Sequence, residues 1–369
     1  MIVEYRTPWS RQTGWAIAAR GYARAMQLAG LHVHLTSWMQ SEQPEVFKFR
    51  SPDPSVLSEV SDMLLPPGRD PDISVLSSTL GAGTTLAFEN WPKQPGQSVL
   101  YTTFEREQLA PELVDQLNRL DGVWVPCRWN KMTCIACGVR PNIVEVFPHV
   151  YFDDDPLLKL EAPEAKRAFL WIGQWEPRKA PHRLIKAFLN AFDWRDEAHL
   201  FLKTNGHWSI GDYESPETVI DREAFAAGWR REEAFSAISV IRNALPREDI
   251  VQLYEAANVY VSASRGEGFD LPCFQAKLAG RRVVTTDSGG PRDFLDEHDV
   301  VVPATDRVAI DPAYNYGENA LHFDHDLDAL IAAMRSAADM DPPPRADMSR
   351  FRAFTVGECL RSWFLELSG

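Results

Sequence analysis

The sequence predicts an α/β protein made of two doubly wound, mostly parallel sheets. Three observations carry this expectation. Short apolar runs alternate with amphipathic stretches of helical period, as in repeated strand–helix–strand units. The alternation breaks once, over Tyr151 to Lys166, and then restarts. The length, 369 residues, exceeds what one ordinary core accommodates, so two domains are expected.

Met1–Arg6 reads as the first strand. A loop over Thr7–Gly14 leads into a helix over Trp15–Leu28, which Gly30 stops. Further strands are expected at His32–Thr36, Ile73–Ser77, Thr85–Phe88, Val99–Phe104, Gly122–Val125 and Ile143–Phe147, with helices at Pro111–Leu120 and Trp129–Cys137. The break carries Asp153, Asp154 and Asp155 before Pro156 and reads as an interdomain linker. Beyond it, strands at Phe169–Ile172, His199–Lys203, Ala237–Arg242, Val259–Ser262 and Val283–Thr286 alternate with helices at Pro181–Phe192 and Arg247–Ala257. Asn205–Ser236 is long for a connection and reads as holding a helix near Arg222–Phe235. Helices at Asp326–Met340 and Thr355–Leu367 close the chain, with a proline-rich turn at Asp341–Pro344 between them. The expected domains are 1–155 and 156–350, with 352–369 packing back on the first.

Composition narrows the function. The formal net charge of −14 argues against a nucleic-acid binder, which shows a basic stripe. Apolar content of 45% is that of a soluble globular protein. No apolar run reaches the roughly 18 residues a membrane span needs, and MIVEYRTPWS lacks a signal-peptide core. Five cysteines, sparse and odd in number, fit a reducing compartment, so a cytoplasmic location is expected. Cys134 and Cys137 form a lone CxxC inside a helix and read as packed and inert. The aspartate run reads as a solvated acidic stretch, and no metal site is expected.

The richest segment is Ser264–Gly290, SRGEGFDLPCFQAKLAGRRVVTTDSGG. The apolar strand before it feeds a loop in which Gly266 and Gly268 flank Glu267. Pro272 suits the first turn of a helix and Gly280 its end. A loop running into a helix N-terminus offers free backbone N–H groups and a positive dipole end to an anion. Glu267 sets an acid beside that anion cradle, a combination suited to a sugar phosphate. Asp270 has two readings, a cap for the Pro272 helix or a partner for a ligand hydroxyl.

GEGFDLPCFQAKLAG is similar to the signature of retaining, nucleotide-sugar-dependent glycosyltransferases of the GT-B fold, family 4-like or group 1. Their frame is like EGFGLPxxEAMAxG. Glu267 stands at its first glutamate, Gln275 at its second, and Asp270 where glycine is usual. Phe169 to Lys179 resembles the family's strand, glycine and basic pair, with Gly173, Arg178 and Lys179 matching and Gln174 where arginine is common. Asn243–Ser262 resembles the stretch before the glutamate motif. Trp124–Trp129 and Val146–Pro148 resemble the end of the N-terminal domain, and Gly14 its glycine loop.

The resemblance implies two Rossmann-like domains facing a central cleft, with acceptor on the first and nucleotide-sugar donor on the second. It implies retaining, metal-independent transfer of a sugar from a nucleotide diphosphate-sugar to a hydroxyl of a glycan or lipid-linked acceptor, as in polysaccharide biosynthesis. No cofactor is implied beyond the donor substrate. Arg178, Lys179 and the backbone of Gly268, Phe269, Asp270 and Leu271 would receive the diphosphate, Glu267 the sugar and Gln275 the ribose. Lys203 ends a strand and either reaches phosphate or is exposed. Glu105, where relatives carry a histidine nearby, either serves the acceptor hydroxyl or is a solvated loop acid. Contact with a membrane, if any, is peripheral. A silent nucleotide-sugar-binding subunit and a GT-B epimerase or phosphorylase are the alternatives, although no cofactor-lysine motif of a phosphorylase is found.

Overall fold

A computed structural model describes residues 1–10, 13–37, 54–78, 96–162, 167–204, 214–310 and 321–369. The chain divides into two compact units. Met1–Phe104, Gln108–Asp153 and Met348–Gly369 form the first, and Glu105–Glu107 with Asp154–Asp347 form the second. The expected strand at Thr85–Phe88 lies outside the described residues.

In the first unit, β1 (Ile2–Arg6), β2 (His32–Thr36), β3 (Ile73–Ser77), β4 (Gln97–Tyr101), β5 (Gly122–Val125) and β6 (Val144–Val146) form one sheet in the order β2-β1-β3-β4-β5-β6. Every neighbouring pair is parallel. All residues of β3 and β5 are buried, as strands covered on both faces require. β4 ends at Tyr101, earlier than the expected Phe104.

Helix Gly14–Leu28 starts one residue before the sequence reading, because the Thr13 hydroxyl caps it by accepting the Ala16 N–H. Ala16, Ala19, Tyr22, Ala23 and Met26 recur at helical spacing on its buried face. Tyr22 packs edge-on against Trp124, and its hydroxyl donates to the Phe147 carbonyl at 2.6 Å. Trp9 is buried in this core. The final helix, Ala353–Ser368, lies against Gly14–Leu28 with Gly357 at the crossing.

The second unit contains β7 (Ala168–Ile172), β8 (His199–Lys203), β9 (Ile238–Ile241), β10 (Val259–Ser262), β11 (Arg282–Thr286) and β12 (Val300–Val302), ordered β12-β11-β10-β7-β8-β9. These pairs too are all parallel. The winding reverses between β7 and β10, and in open α/β sheets ligands bind outside the strand ends at that point. Phe169, Trp171, Leu184, Phe188, Leu200, Val259 and Val261 form much of its core. Both units are therefore Rossmann-like.

Three local readings change. The single helix expected near Arg222–Phe235 is two, Pro216–Ala227 and Arg231–Ala237, because Gly228 takes a left-handed φ of 79° and ends the first. A hairpin of β13 (Ala304–Ala309) and β14 (Leu321–His325) follows β12, where charged residues at Asp306 and Arg307 hide the strand pattern. The aspartate run is not merely solvated. Asp153 pairs with Arg352, while Asp155 caps a short helical turn and takes two bonds from Arg247 at 2.8 and 2.9 Å.

Candidate active site

The loops after β7 and β10 meet at the winding reversal of the second unit. After β7, Pro177–Lys179 forms one helical turn, and the Arg265 N–H donates to the Arg178 carbonyl at 2.8 Å. After β10, the chain passes Gly266, Glu267 and Gly268 before entering helix Leu271–Leu278. The segment after β11 locks this loop from behind. The Glu267 N–H donates to the Ser288 carbonyl and the Gly290 N–H to the Glu267 carbonyl, both at 2.8 Å. Glycine is required at Gly290, because a Cβ would sit 2.5 Å from the Gly268 carbonyl oxygen.

Glu267 is only 4% exposed and carries the electrostatics of the site. Lys179 Nζ donates to its Oε1 at 2.5 Å and Arg178 Nη1 to its Oε2 at 3.4 Å. Burial alone raises a carboxyl pKa, but Lys179 and Arg178 outweigh it and hold Glu267 below the usual range. Lys179 is correspondingly raised: burial opposes its charge, and Glu267 and Asp270 more than offset that. Arg178 is nearly enclosed, donating to Glu176 at 2.7 Å and to the Gly266 carbonyl at 2.8 Å. Glu105, which groups with this unit, lies 3.8 Å from Arg178. Its carbonyl occupies the space a Cβ on Gly266 would need.

Asp270 begins the helix. Its φ of 65° is left-handed, and its Oδ1 accepts the Cys273 N–H at 3.3 Å, which makes it the N-cap. Burial, and then the neighbouring Glu267 charge, push its pKa up to about 6. A raised carboxyl pKa favours folding most where the proton is bound in both states. That contribution is complete below about pH 3.8 and is lost as pH rises through about 6. Asp270→Asn removes it, so wild type should lose stability relative to the variant between about pH 4 and 7. Urea unfolding across that range measures the difference, and a constant difference would mean that Asp270 is ionised throughout.

The remaining expected residues have definite places. Gly173 follows β7 and donates its N–H to the Lys203 carbonyl at 3.0 Å. Lys203 is buried rather than exposed, its Nζ donating to the Thr204 carbonyl at 3.1 Å, and burial lowers its pKa. Gln275 is half-buried, and its Oε1 accepts from the Tyr254 hydroxyl at 3.3 Å. Gly268 and Phe269 are buried in the loop, and Phe269 packs against Phe274 and Phe294. Leu271 opens the helix. Gly14 belongs to the first unit, at the start of its first helix.

Two neighbours were missed in the sequence. Glu176 stands two residues before Arg178, and only the side-chain pairing reveals it. His322 comes from β14, which the Phe323 N–H ties to the Arg265 carbonyl at 2.8 Å. Its ring lies beside Gly266. Burial, with Arg178 and Arg265 nearby, lowers it to about 3, so it is neutral.

Comparison with known proteins fits this architecture. Residues 166–335, all within the second unit, match the family model described as Glycosyl transferases group 1. A putative glycosyltransferase of Bacillus subtilis (strain 168), YtcC, is 28% identical over 138 residues, 37% of this chain and 32% of that protein. The matched part thus spans about a third of that relative. Solved structures align over nearly the whole chain. Anabaena HepE in complex with UDP-glucose is 13% identical, covering 99% of this chain and 100% of its own, with a TM-score of 0.62. The apo lipopolysaccharide outer core galactosyltransferase WaaB is 12% identical, covering 99% of each chain, with a TM-score of 0.63. Sucrose-phosphate synthase of Thermosynechococcus elongatus is 15% identical, covering 100% and 95%, with a TM-score of 0.60. The fold is GT-B.

Proposed function

We propose that the protein is a retaining glycosyltransferase that moves a sugar from a nucleotide diphosphate-sugar to a hydroxyl of a glycan or lipid-linked acceptor. The observation that carries this reading is Glu267, buried between Lys179 and the N-terminus of helix Leu271–Leu278 at the winding reversal of the second unit. The group 1 match over 166–335 supports the same reading.

In this reading the second unit binds donor and the first binds acceptor. The diphosphate lies against the N–H groups of Gly268, Phe269 and Leu271, whose helix N-terminus favours negative charge. It shares Lys179 and Arg178 with Glu267, and Lys203 and Gly173 line the same strand ends. Glu267 orients the sugar, and Gln275 offers its amide to the ribose. Transfer breaks the bond between the anomeric carbon and the phosphate oxygen and forms the bond to the acceptor oxygen on the same face. The acceptor proton passes to the departing phosphate, whose growing charge the two cations offset without a metal. Glu105, next to Arg178, serves the acceptor hydroxyl, and Gly14 borders the acceptor loop of the first unit.

One observation favours a second reading. Lys179 is already paired with Glu267, and Gln275 has an internal partner in Tyr254, as suits a binding subunit that does no chemistry. No helix among the described residues is long and apolar enough to cross a membrane. In the first reading the enzyme works in the cytoplasm and meets a lipid-linked acceptor from the membrane surface.

Thermal unfolding with UDP-, GDP-, ADP- and TDP-sugars tests the reading. At a hundredfold excess over Kd, the correct donor should add about 2.7 kcal/mol and raise the midpoint by about 5–10 °C. No shift with any of them, in folded protein, would refute it.

A further inference from the structure

Asp270 is more than its capping role requires. Capping uses one oxygen, Oδ1, and serine or asparagine would serve as well. The second oxygen, Oδ2, has no hydrogen-bond partner among the described residues, although Asp270 is only 4% exposed. A buried acceptor left unmade is costly, and native proteins keep few of them. The left-handed backbone adds strain, of a kind that accumulates where a ligand is held.

The surroundings indicate what suits Oδ2. Charges that act on Asp270 come from Glu267 in the loop and from Lys179 and Arg178 in the turn after β7. Tyr254, Tyr260 and Cys273, which face it from the preceding helix, β10 and its own helix, are all held neutral by burial. A carboxyl in this position repels phosphate but readily accepts from a neutral hydroxyl. Resting on the donor site proposed above, we propose that Asp270 Oδ2 accepts a hydrogen bond from a hydroxyl of the donor sugar. Asp270 then selects for the sugar, while the helix N-terminus and the basic pair select for the diphosphate.

Asp270→Ser tests this, because serine keeps the cap and removes the second oxygen. Calorimetric affinities are compared for UDP with UDP-glucose, GDP with GDP-mannose and ADP with ADP-glucose. For the pair that wild type binds, the variant, relieved of a carboxyl that repels phosphate, should bind the free nucleotide at least as tightly as wild type does. It should bind the nucleotide sugar about ten- to a hundredfold more weakly. Asp270→Asn, which replaces an acceptor by an N–H donor at the second position, should give the same split. If nucleotide and nucleotide sugar weaken by the same factor, or neither changes, Asp270 is a cap alone and the inference is overturned. If wild type binds none of the pairs and no TDP-sugar, the proposed function falls and the inference with it.

Discussion

Glu267→Ala should leave no detectable sugar transfer and should destabilise the second unit by about 3–5 kcal/mol. The two effects share one cause. Glu267 is the anion that compensates Lys179 at 2.5 Å and Arg178 at 3.4 Å in a buried cluster. Removing it strips enclosed Lys179 of its close carboxylate and leaves Arg178 with Glu176 at 2.7 Å, and breaking one side of a buried pair is far more damaging than never having built it. Urea unfolding of wild type and variant measures the stability loss. Acid provides an internal check. The Glu267 pKa is depressed in the folded state, so its contribution is present above the ordinary glutamate pKa of 4.5 and is lost as pH falls through the lower folded value. In the alanine variant this acid-dependent part should vanish. An alanine variant as stable as wild type at neutral pH would mean that Glu267 is not the anchor of the cluster.

The second large effect is expected at Gly357, far along the sequence from these charges. A Cβ there would lie 2.1 Å from the Ala25 carbonyl oxygen and 2.8 Å from its carbon. Both are helix backbone, which cannot rotate away as a side chain can. Gly357→Ala must therefore push helix Ala353–Ser368 off helix Gly14–Leu28, loosening Val356, Leu360 and Phe364 from the core of the first unit. Overpacking of this kind costs about 1–3 kcal/mol, and with no rotamer to relieve it the upper end is expected. A lower thermal midpoint measures the effect. An unchanged midpoint would mean that the last helix does not pack closely on the first unit.

Much of this was legible in the sequence, for physical reasons. Buried parallel strands such as Ile73–Ser77 and Val259–Ser262 are short apolar runs, and their alternation with helices shows in the pattern alone. Pro272 and Gly280 mark the ends of a helix because of their backbone limits, and the helix runs from Leu271 to Leu278, with Pro272 in its first turn and Gly280 just past its end at a φ of 69°. Hairpin β13–β14 was not legible, because its exposed strands carry Asp306 and Arg307 instead of an apolar alternation. Glu176 and His322 were missed for a different reason. Their place beside Arg178 and Gly266 is set by tertiary folding, not by any local spacing. Lys203 shows the same limit: a strand-end lysine usually reaches water, and here it is buried. Glu267 stood out because a carboxylate flanked by glycines before a helix start is unusual in sequence, whereas its pairing with Lys179 became visible only in the structure.

Release of nucleoside diphosphate from the nucleotide sugar that binds most tightly, by wild type and by Glu267→Gln, tests the central claim most directly. Glutamine keeps the shape of the side chain and removes its charge. Wild type should turn the donor over, and the folded variant should do so about a hundred- to a thousandfold more slowly. A folded wild type that releases nothing, or a glutamine variant as fast as wild type, would contradict the claim that Glu267 with Lys179 and Arg178 forms the working centre of a glycosyltransferase.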